Sequence, residues 1–197
     1  KTTIKETREK YQELVFGVIS DTHILGDIGE PVYAPVLKRR EKFKKALTYY
    51  KSNNAKLIII NGDVSEFGME DSYRVLQDII DEVYPEGEDR PQFIFTADNH
   101  EYWDAWDSSV TFEDCQNVFK TGLGLDAVNN HDPVGGYDFI SISSDGMDGS
   151  DATYNKQTIE YLMKKISYIK DNCSEKLTAE GLSEKFKEMY YEFEEFG

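Results

Sequence analysis

Four short apolar runs, each followed by an aspartate within three residues, constrain what this chain can fold into. Residues 14–19 read LVFGVI and give way to Ser20-Asp21, and residues 57–60 read LIII and give way to Asn61-Gly62-Asp63. Residues 93–96 read FIFT and lead into Ala97-Asp98-Asn99-His100-Glu101, while 139–143 read FISIS and lead into Ser144-Asp145-Gly146. Continuous apolar runs of this length fit strands buried on both faces. Helical periods lie between them. Val36, Phe43, Ala46, Leu47 and Tyr50 share one face, and Leu76, Ile79, Ile80 and Val83 share another. Phe112, Cys115 and Phe119 form a shorter stripe that Thr111 and Asp114 would open as a capping box. Ile159, Leu162, Met163 and Ile166 make a fourth stripe, and Phe186, Met189, Tyr190 and Phe193 a fifth. This alternation predicts an α/β fold with a mostly parallel sheet flanked by helices. The strand-bearing core is expected over residues 1–154, with a helical tail over 155–197 packed on it.

Ligands of open parallel sheets gather at the carboxyl ends of the strands. Asp21, Asp63 and the Asn99-His100 pair all lie just past predicted strand ends, so they are expected to meet at one edge. Close carboxylates repel unless a cation lies between them. Carboxylate oxygens, imidazole nitrogens and an amide oxygen suit divalent Mn, Fe or Zn, and one aspartate can bridge two such ions. The glycine before Asp63 lets the main chain turn sharply there.

Charge limits the partners. The chain carries 22 Lys and Arg against 38 Asp and Glu, a net charge of −16. A surface so acidic repels polyanions, which argues against nucleic acid and against anionic membranes as partners. A small phosphorylated substrate remains compatible, given cations in the site. No apolar stretch approaches the roughly 20 residues needed to span a bilayer. The chain has no signal-peptide pattern and does not begin with Met, and its acidic, Tyr-rich character leans toward a secreted or cell-surface setting, with the cytoplasm as the alternative. Cys115 and Cys173 offer neither a disulfide framework nor metal-ligand spacing.

Ile19-Ser20-Asp21-Thr22-His23, then Asn61-Gly62-Asp63, then Asn99-His100-Glu101 resemble the motifs of the calcineurin-like metallophosphoesterase family, in order and in spacing. The resemblance covers residues 13 to 150. It implies a metal-dependent phosphoesterase that hydrolyses a phosphomonoester or phosphodiester by attack of a metal-bound hydroxide at a dinuclear centre. It also implies roles. Asp21 and His23 would bind the first ion, and Asp63 would bridge both. Asn99 would bind the second ion near the substrate phosphate. His100 would lie against the substrate beside the leaving group as a catalytic residue, with Glu101 orienting it.

The match departs from the family in two ways. Asp98 stands where the family usually has glycine, next to the metal ligands. The family's later histidine and Gly-His-x-His motif are missing, since the chain's three histidines are His23, His100 and His131. His131 reads as an exposed loop histidine, and the aromatic stretch from Tyr102 to Trp106 as packing under a loop, with one wall of a substrate pocket as the alternative. The expectation is an incomplete or truncated phosphoesterase. The alternative is a non-catalytic scaffold or binding protein with a degenerate metal site. The family sandwich without its second half would expose one side of the sheet, which the helical tail or a second copy of the chain, in a homodimer, would cover.

Overall fold

The computed structural model describes residues 14–27, 34–87, 89–106, 109–144, 146–148, 151–154 and 156–172. Three parallel strands, β1 (Phe16–Ser20), β2 (Leu57–Asn61) and β3 (Gln92–Thr96), pair in the order β1-β2-β3. The register aligns Val18 with Ile59 and Ile94, and Ser20 with Asn61 and Thr96. All three strands therefore end level, and their loops open on the same edge.

Helix α1 (Ala34–Ser52) connects β1 to β2, and α2 (Glu70–Val83) connects β2 to β3. Both crossovers step in the same direction along the sheet, so connections of one hand lay both helices on one face, where they pack together. That face holds the core. Ile58, Ile60 and Phe95 from the sheet meet Phe43 and Leu47 of α1, and Leu76, Ile80 and Tyr84 from α2 and its end. Helix α3 (Phe112–Leu123) adds Cys115, Phe119 and Leu123. Its predicted capping box is present: Thr111 Oγ1 accepts from the Asp114 N–H, and the Asp114 carboxylate accepts from the Thr111 N–H. Gly124, left-handed at φ 67°, closes the helix, a conformation glycine adopts freely.

The opposite face of the sheet is different. Val18, Ile59 and Ile94 line a cavity of about 350 Å³ with Phe139, Ile140 and Tyr154, and Val18 is 53% exposed. The fourth apolar run does form a strand, but outside the parallel sheet: it is half of an antiparallel hairpin, β4 (Asn130–Val134) with β5 (Tyr137–Ser141). Gly135 and Gly136 form its two-residue turn, with φ of 60° and 87°, a geometry most other residues resist. His131 is therefore not an exposed loop histidine. It lies in β4 with a side chain only 13% exposed, and its Nε2 meets Asp138 Oδ1 at 2.7 Å. A further short hairpin pairs β6 (Gly146–Asp148) with β7 (Asp151–Thr153).

Helix α4 (Lys156–Asn172) follows. The chain divides into two compact units, one ending at Ile159 and the next beginning at Glu160. Among the described residues no helix is long and apolar enough to cross a membrane. Cys173 and the stripe from Phe186 to Phe193 lie outside the described residues.

Candidate metal centre

Three of the four non-glycine residues with positive φ among the described residues lie just past the ends of β1 and β2: Asp21 (54°), His23 (44°) and Asp63 (47°). Left-handed backbone costs most residues about 1–2 kcal/mol, so something must hold it. The two loops keep bonding after the strands stop. Asp21 N donates to Gly62 O at 3.2 Å, His23 N to Asp63 O at 2.9 Å and Ile24 N to Val64 O at 3.0 Å. Thr22 Oγ1 donates to Val64 O at 2.6 Å, and Glu66 N donates back to Ile24 O at 3.0 Å. Gly62 is required twice over: its φ is 70°, and a Cβ there would come within 3.0 Å of the Asp98 Cβ.

This paired turn brings side chains from three strand ends together. His23, Asp63 and His100 each offer one ligand atom, all within 4.8 Å of one another. His23 Nε2 lies 3.7 Å from Asp63 Oδ2, and the His100 N–H donates to Asp63 Oδ1 at 3.2 Å. The two imidazoles meet edge to face, with centroids 4.5 Å apart. His100 Nδ1 lies 2.8 Å from the Glu66 carbonyl oxygen. A carbonyl only accepts, so Nδ1 carries the proton and Nε2 is left for the site. Trp103 stacks on the His100 ring at 5.3 Å and meets Phe67 at 5.8 Å, so this aromatic borders the site rather than packing away beneath it. Burial pushes the Asp63 carboxyl above its ordinary 3.8, against the lowering influence of the His100 N–H and of both imidazoles.

The other residues singled out by sequence sit nearby with different surroundings. Asp21 is exposed, and it is not part of the three-residue cluster. Asn99 opens a 3-10 helix, Asn99–Trp106, and is half-buried, its N–H bonded to Asp98 Oδ1 at 2.9 Å. Glu101 is only 1% exposed. Its Oε1 accepts from Ser65 N at 2.8 Å and its Oε2 from Asp98 N at 2.9 Å, so the carboxylate ties the β2 loop to the β3 loop. Burial pushes this carboxyl from 4.5 up to about 8. His100 Nδ1 thus bonds the Glu66 main chain, where the sequence suggested the Glu101 carboxylate. Asp98 is not among the left-handed residues, which explains why the usual glycine is dispensable there. Its Oδ1 also accepts from Ser144 Oγ at 3.3 Å.

Two residues at the centre carried no recognisable signal. Glu66 stands three positions after Asp63, and its carboxylate lies 3.5 Å from His23 Nδ1. Arg39 of α1 pairs with that carboxylate and donates to the His23 carbonyl at 3.4 Å.

Residues 14–187 match the calcineurin-like phosphoesterase family. The chain belongs to that family. The match runs well past residue 150, where the recognisable motifs stop, so family character continues into the α4 region. No curated protein matches the chain. The family is metal-dependent, and the cluster suits a divalent ion: two imidazoles and a carboxylate form a mixed nitrogen and oxygen donor set. His23 Nδ1 is buried without a hydrogen-bond partner, and the Glu66 carboxylate lies just beyond bonding distance at 3.5 Å.

Proposed function

We propose that this chain hydrolyses a small phosphomonoester or phosphodiester at the edge where β1, β2 and β3 end. The observation that carries the reading is the convergence of His23, Asp63 and His100 from three separate strand ends within 4.8 Å. Asp21, His23 and Asp63 would hold one divalent ion, and Asp63 with the Asn99 amide oxygen would hold a second. Such an ion acts as a Lewis acid on phosphate oxygens and lowers the pKa of water it binds.

The protein's own groups do the rest. His100, with Nδ1–H committed to the Glu66 carbonyl, directs Nε2 at the substrate; a proton held on Nε2 passes to the leaving oxygen and leaves the neutral Nδ1–H ring. Trp103 stacks on its ring and is itself braced by Phe67. The net charge of −16 favours small substrates over polyanions, since only the locally bound cations offset repulsion of phosphate.

One observation favours a second reading, a non-catalytic family member with a degenerate centre. The chain has only three histidines, and the structure pairs one of them, His131, with Asp138 in β4. The two readings separate in one experiment. Protein purified without chelator and supplied with Mn or Zn is analysed for metal content, then assayed on nitrophenyl phosphate and bis-nitrophenyl phosphate. Bound metal with turnover supports the enzyme. Bound metal without turnover on either ester supports the scaffold. No bound metal refutes the metal centre itself.

A further inference from the structure

We propose that Glu66 is the positioning residue of the His23 imidazole, acting on its Nδ1 through the side-chain carboxylate, while its main-chain carbonyl holds His100 whatever the side chain. The inference rests on the metal-centre reading for its purpose but not for its geometry. Each histidine has one nitrogen turned toward the other members of the cluster and one turned away. The nitrogen turned away is Nδ1 in both, and in both the nearby acceptor belongs to Glu66. For His100 it is the carbonyl oxygen at 2.8 Å. For His23 it is carboxylate Oε2 at 3.5 Å.

The His23 contact is slightly longer than a formed hydrogen bond, and Nδ1 is otherwise buried without a partner. His23 therefore has a choice. It can place its proton on Nδ1, toward Glu66, or on Nε2, toward Asp63 Oδ2 at 3.7 Å. Only the first leaves an Nε2 lone pair for a cation. A carboxylate behind a ligating histidine fixes the tautomer and raises the basicity of the ring.

Glu66 is well anchored for this task. Its N–H donates to Ile24 O at 3.0 Å, which locks the two loops in register. Arg39 grips its Oε2 and also the His23 carbonyl, so one guanidinium fixes the acceptor and the ring's own backbone together. The neighbouring Arg40 donates to Leu25 O through Nε at 3.2 Å and Nη2 at 2.5 Å. Helix α1, seated in the core by Phe43 and Leu47, thereby carries the scaffold for the loop that holds His23.

The test uses the full chain. Long-range proton–nitrogen NMR spectra of metal-free protein report the tautomer of each of its three histidines. The wild type is expected to hold His23 with the proton on Nδ1, and Glu66→Ala to move that proton to Nε2. His100 should keep Nδ1–H, because the alanine retains the main-chain carbonyl. Glu66→Gln preserves volume and the Arg39 contact, guards against a folding defect, and is expected to shift the tautomer partway. Calorimetry with Mn should then show affinity falling by about 10–100-fold in Glu66→Ala. A wild-type His23 already protonated on Nε2 overturns the proposal. So do unchanged His23 tautomers in both variants, or a joint change of His23 and His100, which would mark a merely structural role. Failure of the wild type to bind Mn refutes the metal-centre reading separately, while the tautomers still judge Glu66.

Discussion

Asp63→Asn separates what the centre does for a metal from what it does for the fold. Asparagine tolerates left-handed backbone, so the φ of 47° at this position adds little strain, whereas alanine would confuse strain with lost charge. The amide oxygen can still accept the His100 N–H now bonded at 3.2 Å. Losing the charge on that acceptor costs about 1 kcal/mol. The opposing effect is desolvation, which holds the Asp63 carboxyl above 3.8 in the folded protein. The folded state thus takes up the proton more readily than the unfolded chain. That contribution to stability is full below 3.8 and is lost as pH rises through the folded value, and the variant lacks this falling limb. At neutral pH without metal, the two proteins should agree within about 1 kcal/mol.

Metal changes the comparison. A ligand at a hundredfold excess over its dissociation constant stabilises the folded state by about 2.7 kcal/mol. For a chain of 197 residues, at about 2–4 °C per kcal/mol, that raises the wild-type Tm by roughly 5–11 °C. Asp63→Asn replaces the carboxylate of a three-donor cluster and should show little shift. Thermal melts by circular dichroism with and without Mn, for both proteins, decide it. Equal Mn-induced shifts would remove Asp63 from the centre. A metal-free variant destabilised by more than about 3 kcal/mol would mean the carboxylate serves the fold, well beyond one net hydrogen bond.

His100→Ala should lower turnover of nitrophenyl phosphate by about 10²-fold or more, and unaltered turnover would exclude a proton-transfer role. Gly68→Ala should lower Tm and weaken Mn binding together, because φ is 66° and the new Cβ would run into the Glu101 carbonyl, displacing the 3-10 helix that begins with Asn99; normal Mn affinity would show that the helix absorbs the push. Glu101→Gln must turn an N–H toward a backbone N–H of Ser65 or Asp98, costing about 1–3 kcal/mol. Because burial holds Glu101 near 8 against an ordinary 4.5, wild-type stability falls as pH rises between those values, so the gap to Glu101→Gln should narrow from about pH 5 to pH 8 in urea unfolding; a constant gap would refute the buried protonation.

The parallel sheet was legible because its strands are buried and their apolar runs uninterrupted: LIII at 57–60 needs no pairing partner to be recognised. Strand β4 was not legible, because NHDPV contains one apolar residue besides proline and pairs through the Gly135-Gly136 turn rather than through a pattern of its own. The strand-end positions of Asp63 and His100 could be read, since topology alone brings the carboxyl ends of parallel strands together. Side-chain direction could not. Glu66 and Arg39 lie 27 residues apart and meet only because α1 packs over the β2 loop, a relation no local spacing encodes. Asp98 stood out as a departure from the family, yet its backbone is not left-handed and its carboxylate caps Asn99, a compensation visible only with dihedrals in hand.

The costs gathered at this edge share one direction. Three residues hold left-handed backbone, the Asp63 carboxyl is pushed up by burial, and His23 Nδ1 is buried without a hydrogen-bond partner. None of these helps the fold, and strain of about 1–3 kcal/mol per residue persists only where surrounding structure enforces it. Here the enforcement is specific: the paired loops, the Glu101 clasp and the Arg39-Glu66 pair all act on the residues that converge. A cation between Asp63 and His23 Nε2 would offset the carboxylate's desolvation and strengthen the bond from His23 Nδ1–H to Glu66 at once. Metal binding and local stability should therefore be coupled, with the loops after β1 and β2 tightening together rather than one ligand at a time. Hydrogen exchange at the Asp21, His23 and Ile24 amides, all bonded across to the β2 loop, should slow on Mn addition by a common factor. Unequal protection among them would mean that the two loops respond separately.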